Sequence, residues 1–394
     1  MITLSNAENA LKTLYLGVVA EQLNTAVNPF LGAIEKTTSD VWGKQVVKLA
    51  SYGVNGGIGA GSETGTLPEA GANNYAQMTV TLKNLYGKIE LSDKAMLASQ
   101  NDAGAFVDIL NAEMDGLLKS SKFNLGRMLY GNGTGKIATV TTKPETNTNN
   151  ADIAVTSVKN LIEGLIVDVY SAVDATTPAL TARRIIKIDR AAKIITIGGT
   201  TPSSAVTAGF ITVQNSLNQE LTGLGAIFDG SVSTLYGLNK ADNYWLVPYT
   251  KTLNTTISIS AIQEVIDNIE ELGGEEVNYI LSSYAVKRAY LAYLNTNRRN
   301  IDYLNLDGGF RAISYNGIPV VADRFCEDNS MFFLNSKNFT MHQLCDWRWL
   351  EGEGGKVIRQ IAGTPTYSAT LVKYAELLCD KPIGQGKLTG ITIA

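Results

Sequence analysis

The stretch Gly53-Val-Asn-Gly-Gly-Ile-Gly-Ala-Gly-Ser-Glu-Thr-Gly-Thr-Leu-Pro68 decides how the 394-residue chain is organised. It is rich in glycine and carries almost no bulky side chain, so it cannot bury enough apolar surface to hold itself in a compact domain. On its two sides, Val46 to Tyr52 and Met78-Thr-Val-Thr-Leu-Lys83 have the patterns of strands. These observations leave three interpretations: a disordered loop, a loop that grips a ligand, or an arm that becomes ordered on another subunit.

The flanking strands favour a long hairpin that reaches outward. A two-stranded ribbon on its own is only marginally stable in water. We therefore expect the hairpin to gain its stability from a surface other than its own.

Composition excludes several classes of function. Hydrophobic residues make up 45% and charged residues 18% of the chain, which is typical of a globular protein and not of a disordered one. The 33 basic and 37 acidic side chains give a net charge of −4, which argues against a nucleic-acid binder that relies on bulk positive charge. No apolar run approaches the ~18–20 residues of a membrane helix, and the residues after Met1 do not have the pattern of a signal peptide. We expect a protein that is soluble and intracellular when it is made.

Cysteine and histidine are scarce. Cys326, Cys345 and Cys379 are widely spaced and odd in number, which argues against a disulfide framework and a CxxC metal site, so we expect free thiols that are buried or half-buried. His342 is the only histidine and lies in an alternating, strand-like run, which favours a structural imidazole over a general base. The sequence therefore predicts no catalytic residue, no cofactor and no metal site.

Helix signals stand on both sides of the glycine-rich stretch. Ser5 and Glu8 form a capping box ahead of an N-terminal helix, which Asn28-Pro29 ends. Apolar spacing predicts a long helix from Asp102 to Tyr130, which Gly131-Asn-Gly-Thr-Gly135 ends.

From Ile137 to about Leu246 the chain changes to short β runs separated by polar and glycine turns. Their spacing is typical of a small barrel or sandwich, inserted as a β module into the parent fold. After Trp245 the pattern becomes α/β. There, Ser260 and Gln263 predict a second capping box.

Two glycine motifs fail as nucleotide sites. Gly131-Asn-Gly-Thr-Gly-Lys136 has Ile137 where a phosphate loop needs Ser or Thr, and Gly56-Gly57-Ile-Gly59-Ala-Gly61 has Ser62 where the dinucleotide fingerprint needs its third glycine. An acidic cluster, Glu270, Glu271, Glu275 and Glu276, is interpreted as a solvated face in preference to a patch that meets a basic partner.

The order of these features is more specific than any one of them. It resembles the major capsid protein of tailed bacteriophages, with the Hong Kong ninety-seven-type fold. Besides the stretch Gly53 to Pro68, the motifs that carry the resemblance are Tyr86-Gly-Lys-Ile-Glu-Leu-Ser92, Leu129-Tyr-Gly-Asn-Gly-Thr-Gly135, Glu220-Leu-Thr-Gly-Leu-Gly225 and Leu235-Tyr-Gly-Leu238.

The resemblance implies an α+β fold and a division into parts. These are an N-terminal arm (1–45), an extended loop hairpin (46–85), a peripheral domain with a spine helix (86–136), an inserted small β-barrel or sandwich domain (137–246), an axial domain (247–345) and return strands of the peripheral domain (346–394). The extended loop would lie across an adjacent subunit through Gly53, Gly56, Gly57, Gly59, Gly61, Glu63, Gly65, Leu67 and Pro68.

Two departures from the family matter. Some members join subunits by an isopeptide bond from a lysine in the extended loop, but no lysine lies between Lys48 and Lys83, so we predict no such cross-link. Some members also carry a scaffolding segment at the N-terminus. Here Met1 leads directly into the predicted helix, so we expect a separate scaffolding protein or none.

The implied function is structural and non-enzymatic: self-assembly as pentamers and hexamers into the icosahedral head that encloses double-stranded phage DNA. The implied partners are further copies of the chain, a portal, a separate scaffolding protein and, as an option, a cement or decoration protein, with the DNA enclosed without sequence-specific binding and no membrane. The implied location is the virion, after assembly in the bacterial host cytoplasm. The alternatives are an encapsulin-like compartment shell, a phage appendage or glycan-binding protein, and an enzyme that uses a carboxylate or His342.

Overall fold

A computed structural model describes residues 28–41, 43, 45–94, 103–142, 150–199, 209–297, 303–305, 311–352 and 357–393. The predicted N-terminal helix lies outside the described residues. The chain divides into two compact units. The first comprises Met1–Gly32, Lys83–Gly225 and Asp346–Lys373, and the second comprises Ala33–Leu82, Ala226–Cys345 and Tyr374–Ala394.

The elements of the described residues are as follows. The helices are α1 (Pro29–Ala33), α2 (Ala103–Met128), α3 (Leu224–Phe228), α4 (Ile259–Asn268) and α5 (Tyr284–Asn297), with 3-10 turns at Tyr244–Leu246, Ser336–Asn338 and Pro382–Gly384 and a π turn at Ile269–Gly273. The first strands are β1 (Glu35–Thr37), β2 (Gln45–Gly53), β3 (Asn74–Thr81), β4 (Lys83–Ser92), β5 (Lys136–Thr142), β6 (Asn150–Val155), β7 (Ile166–Val169), β8 (Leu180–Asp189), β9 (Ile194–Gly198) and β10 (Phe210–Val213). The later strands are β11 (Thr234–Leu235), β12 (Leu238–Asn239), β13 (Tyr249–Thr252), β14 (Tyr279–Ser282), β15 (Tyr303–Asn305), β16 (Arg311–Tyr315), β17 (Ile318–Ala322), β18 (Met331–Leu334), β19 (Phe339–Trp349), β20 (Arg359–Gln360), β21 (Thr366–Cys379) and β22 (Gly386–Thr389).

The long helix of the first unit is α2, with 26 residues. At 1.5 Å per residue it spans about 39 Å. Its bounds agree with the predicted range 102–130 to within two residues, because the apolar positions Met114, Leu118, Leu125 and Met128 are buried along one stripe.

A closed barrel follows α2 in the first unit. Its six strands run in the order β10-β5-β6-β9-β8-β7, and its interior is filled by branched side chains such as Ile153, Ile185 and Ile195, none of which is exposed. Register shifts interrupt four of its strand pairs, and such bulges help a small sheet to curve into closure. The sequence pattern of residues 137–246 did not distinguish a barrel from a sandwich. The strands close as a barrel, and the last of them ends at Val213.

The second unit contains a seven-stranded sheet in the order β13-β22-β18-β14-β17-β16-β15. The apolar faces of α4 and α5 share one buried cluster with this sheet, which includes Val265, Tyr290 and Phe333. The sequence assigned 346–394 as a whole to the return strands of another domain. In the structure, β22 pairs in parallel with β13 and antiparallel with β18, and so completes this sheet.

The predicted capping box at Ser260 and Gln263 is wrong, because it places the N-cap of the helix two residues too late. The N-cap of α4 is Ser258, which has an extended backbone and accepts a hydrogen bond from the Ala261 N–H. Ile257 before the cap and Ile262 in the first turn belong to the same buried cluster, which is the arrangement of a hydrophobic staple. This apolar pair selects the start of the helix.

A further sheet has the strand order β1-β19-β21-β20, with β4 also paired to β21. Its strand β1 runs parallel to β19, with Glu35, Lys36 and Thr37 opposite 340–342. The strand β21 is the longest of this sheet and runs over Thr366–Cys379.

Candidate functional site

The glycine-rich stretch connects the two strands of a hairpin. Strand β2 pairs antiparallel with β3, from Gln45 opposite Thr81 to Gly53 opposite Asn74. We call residues 54–73 the arm, and β2 with β3 the arm root. The predicted hairpin is therefore present, and its connection is long.

The arm exposes its apolar side chains. Val54, Ile58 and Leu67 are 86%, 85% and 90% exposed. A soluble protein normally leaves such side chains in water only singly, so three of them on one segment of twenty residues mark a surface suited to burial against a partner.

The two limbs of the arm lie side by side. A Cβ added at Gly71 would lie 2.7 Å from the Gly56 nitrogen and 2.8 Å from the Gly57 nitrogen, and one at Gly59 would lie 3.0 Å from Cγ of Pro68. Glycine is therefore required at Gly71 because two backbones approach too closely for a side chain. A Cβ at Gly56, in contrast, would meet nothing within 4 Å.

The nine residues predicted for the extended loop lie in the arm or at its first strand. Gly53 is the last residue of β2, and the other eight lie within the arm. Gly53 and Gly57 are half-buried and the remaining seven are exposed. Gly71 was not among the nine, although it lies in the same glycine run and makes the closest limb-to-limb approach. Its position after Pro68, on the returning limb, could have indicated that it lies opposite the glycines of the outgoing limb.

Two side-chain contacts hold the arm root within the second unit. The Lys48 ammonium on β2 lies 2.6 Å from Oδ2 of Asp380, which follows β21. The Tyr52 ring stacks on the Trp245 ring, with centroids 5.6 Å apart and planes 7° from parallel. The root is thus fixed by an ion pair and an aromatic stack.

A small hairpin supports the other strand of the arm root. Tyr236 and Gly237 join β11 to β12 in a two-residue turn with φ of 52° and 81°, the left-handed geometry that tight hairpins need. The Tyr236 carbonyl accepts from the Thr79 N–H at 2.9 Å, and its hydroxyl accepts from the Cys379 N–H at 2.9 Å. Burial raises the pKa of Tyr236 well above its usual value, so the hydroxyl stays neutral. The motif Leu235 to Leu238 contributed to the resemblance, but its pattern did not predict that the turn at Tyr236 supports β3.

A buried ion pair lies in the first unit at the end of α2. The Arg127 guanidinium holds both carboxylate oxygens of Glu220, at 2.7 Å and 2.5 Å, and the side chains are 4% and 3% exposed. Such a bidentate pair fixes geometry as well as charge.

Two quoted motifs meet beside that pair, and we call this contact the junction: residues 129–135 against residues 216–225. The Leu224 N–H donates to the Leu129 carbonyl at 2.8 Å, and the Asn218 N–H donates to the Thr134 carbonyl at 2.9 Å. A Cβ at Gly223 would overlap the carbonyl oxygens that end α2. The junction therefore joins the segment that enters the barrel, before β5, to the segment that leaves it, after β10.

The only histidine and the three cysteines are buried or half-buried. His342 is 2% exposed, and neither of its ring nitrogens has a hydrogen-bond partner among the described residues. Cys326 and Cys379 are buried free thiols and Cys345 is a half-buried one, which confirms the prediction. Burial raises the pKa of the Cys379 thiol far above its usual value, so it is no nucleophile. In the described part of the chain, no helix is long and apolar enough to cross a membrane. Among those same residues, no group of three or more metal-ligating side chains comes together.

Comparison with known proteins gives matches of structure. No protein-family profile matches the chain, and no curated protein sequence matches it. The chain is similar to a chain of the cyanophage A-1(L) capsid asymmetric unit, with 13% identity, 93% of each chain covered and a TM-score of 0.58. It also matches the capsid of a native GTA particle (11% identity, 92% and 89% covered, TM-score 0.46) and the SrpI encapsulin of Synechococcus elongatus PCC 7942 (9% identity, 95% of each covered, TM-score 0.46).

The fold is of the phage-capsid class. More particularly, the mixed α+β chain follows the cyanophage A-1(L) capsid chain over nearly its whole length, which confirms the predicted resemblance at the level of the fold.

Proposed function

We propose that this chain is a major capsid protein that self-assembles into the icosahedral head shell of a tailed phage. The observation that carries the proposal is the likeness to the cyanophage A-1(L) capsid chain over 93% of both chains. The exposed arm supports it, because a shell supplies every copy with a neighbouring copy on which to bury that arm.

The arm supplies the driving force for assembly. Burying an exposed Val, Leu or Ile side chain contributes about 1.5–3 kcal/mol, so Val54, Ile58 and Leu67 together favour association by several times the thermal energy. Because this burial requires a second copy, the stability of the arm depends on protein concentration and on closure of the shell.

The other elements take roles consistent with this arm. The helix α2 is the spine of a peripheral domain, and the sheet from β13 to β22 forms most of an axial domain that packs around five- and six-fold axes. The barrel from Lys136 to Val213 is an added domain. The contact with the adjacent subunit is assigned to the nine residues predicted from the sequence, while Gly71 shapes the arm by letting its two limbs approach each other.

Copies of the chain form pentamers and hexamers. The further partners that we propose are a portal, a separate scaffolding protein or none, and as an option a cement protein. The shell encloses double-stranded DNA without sequence-specific binding, in keeping with the net charge of −4. The chain acts in the virion after assembly in the host cytoplasm, and its role is structural, without catalysis.

The test is negative-stain electron microscopy of the purified chain beside its sedimentation profile. Hollow shells or rings of five and six subunits are the expected result. A discrete small oligomer that gives no curved assembly even with added phage scaffold contradicts the proposal. Shells filled with protein cargo in place of DNA would assign the chain to a compartment of the encapsulin type.

A matched pair of substitutions separates the arm from the rest of the surface. Leu67→Asp places a charge on the arm, and Val173→Asp places the same charge on a 66% exposed position outside it. We expect Leu67→Asp to abolish shells and Val173→Asp to preserve them, with melting temperatures unchanged in both. Shells of normal yield from Leu67→Asp would contradict the role of the arm.

A further inference from the structure

The only histidine of the chain occupies an unusual place. His342 lies on β19 of the second unit, is 2% exposed, and has no hydrogen-bond partner at either ring nitrogen among the described residues. Buried polar atoms are normally hydrogen-bonded, because leaving one unpaired costs free energy. Protonation of such an imidazole would therefore place an uncompensated charge in the interior and change its interactions with nearby groups.

Four charged side chains act on this imidazole through their charge, and the backbone also places Asp380 beside β19, since its N–H donates to the Asn338 carbonyl at 2.8 Å. Lys48 comes from β2, Asp380 follows β21, and Glu35 and Asp40 lie on and after β1. Strand β1 places Thr37 directly opposite His342.

Three further charged groups lie on β1 and β21, and one of them, Lys373 of β21, is paired with Asp346 at 2.6 Å. Lys36 of β1 lies opposite Met341, one residue away from His342. Glu376 of β21 is buried and accepts the N–H of Leu377.

The ion pair among these neighbours is incomplete. Lys48 holds Oδ2 of Asp380 at 2.6 Å, while Oδ1 of Asp380 is buried and has no hydrogen-bond partner among the described residues. Asp380 thus keeps one acceptor oxygen available. Lys48 belongs to the arm root, so whatever weakens this pair loosens β2.

We propose that His342 is a proton-operated latch for the arm: when uncharged it leaves Lys48 paired with Asp380, and when protonated it engages the open oxygen of Asp380, repels Lys48 and releases the arm root. The step is the binding of one proton from solvent and requires no other reactant. It concerns the single chain, so it holds whether or not the chain forms shells.

The direction of the pH effect follows from burial. Desolvation, followed by the positive charge of Lys48, lowers the pKa of His342 below its usual 6.5, and the three nearby carboxylates only partly oppose this shift. At neutral pH the folded chain therefore holds an uncharged imidazole. Between pH 6.5 and the lowered pKa the opened form binds a proton that the closed form does not, so acid favours opening by up to about tenfold per pH unit.

The test is hydrogen–deuterium exchange of the full chain, held unassembled at low concentration, at pH 7.5, 6.5 and 5.5 and corrected for intrinsic exchange rates. We expect peptides covering Gln45–Gly53 and Asn74–Thr81 to open by up to about tenfold more at pH 5.5 than at pH 7.5. Peptides covering Tyr279–Ser282, in the central sheet of the same unit, serve as the internal control and should not change. Equal change in both sets would overturn the latch.

Two variants distinguish the latch from general acid loosening. His342→Gln cannot be protonated, and we expect the acid response of the arm root to disappear while circular dichroism stays unchanged. Lys48→Met removes the bond that the latch controls, so its arm root should exchange faster than that of the unsubstituted chain at pH 7.5 and respond little to acid. A full acid response in either variant contradicts the proposal, and because the two substitutions are independent, one poorly folded variant leaves the other decisive.

Discussion

The arm and the junction are both rich in glycine, but glycine serves a different purpose in each. At the junction, a side chain at Gly223 would strike the carbonyl oxygens of Met128 and Leu129, inside a region where Arg127 and Glu220 are almost fully buried. In the arm, a side chain at Gly71 would strike only the opposite limb, and the surroundings are exposed.

This difference shows that a glycine motif has no fixed meaning in a sequence. Close backbone approach within a core stabilises the folded chain, so its loss should appear as a lower free energy of unfolding. Close approach within an exposed ribbon sets the shape of a surface, so its loss should appear when copies associate and not when one copy unfolds.

The largest expected effect comes from breaking the ion pair at the junction. Arg127→Met leaves the Glu220 carboxylate buried without its partner, which we expect to lower the free energy of unfolding by about 3–5 kcal/mol. The measurement is urea denaturation followed by circular dichroism.

The control replaces both partners. Arg127→Met combined with Glu220→Leu buries no charge and should recover most of the loss, since a buried pair can often be exchanged for apolar residues at little cost. A double variant as unstable as the single one would show that packing, and not charge, dominates the junction.

An intermediate effect is expected for Gly223→Ala. The added methyl group must displace the end of α2 or residues 216–225, and overpacking of this kind costs about 1–3 kcal/mol. The matched control is Gly116→Ala in α2, where a Cβ meets nothing within 4 Å. That substitution should stabilise the chain by about 0.5–1 kcal/mol through helix propensity. Similar melting temperatures for the two variants would refute the close-approach role of Gly223.

The smallest effect on unfolding is expected in the arm. Gly71→Ala forces the limbs apart and Gly56→Ala does not, yet both lie in solvent and should change the free energy of unfolding by less than about 0.5 kcal/mol. Under the capsid proposal, only Gly71→Ala should lower the yield of shells counted by electron microscopy. Equal yields would show that the arm needs flexibility and not a close-packed pair of limbs.

Local patterns predicted the elements well. The bounds of α2 and the pairing of β2 with β3 both follow from periodicity within a short window. The resemblance rested on the order of such elements, and the structural match over 93% of the chain confirms it at the level of the fold.

Contacts between residues far apart in the chain could not be predicted from the sequence. The N-cap at Ser258 is selected by the apolar pair Ile257 and Ile262, which competes with the capping box around Ser260. The pairing of Arg127 with Glu220 spans 93 positions, and the contact of Thr79 with Tyr236 spans a still longer stretch of chain. No periodicity links such pairs, since they are set by tertiary packing.

The junction also makes the barrel an exchangeable cassette. The chain enters the barrel just after Thr134 and leaves it just before Asn218, and these two residues are joined by a hydrogen bond of 2.9 Å. Segments whose two ends lie this close together are the ones that tolerate replacement or circular rearrangement. A foreign domain with adjacent termini, grafted between residues 136 and 213, would leave the hydrogen bonds of the junction unchanged and would be displayed once on every copy of the chain.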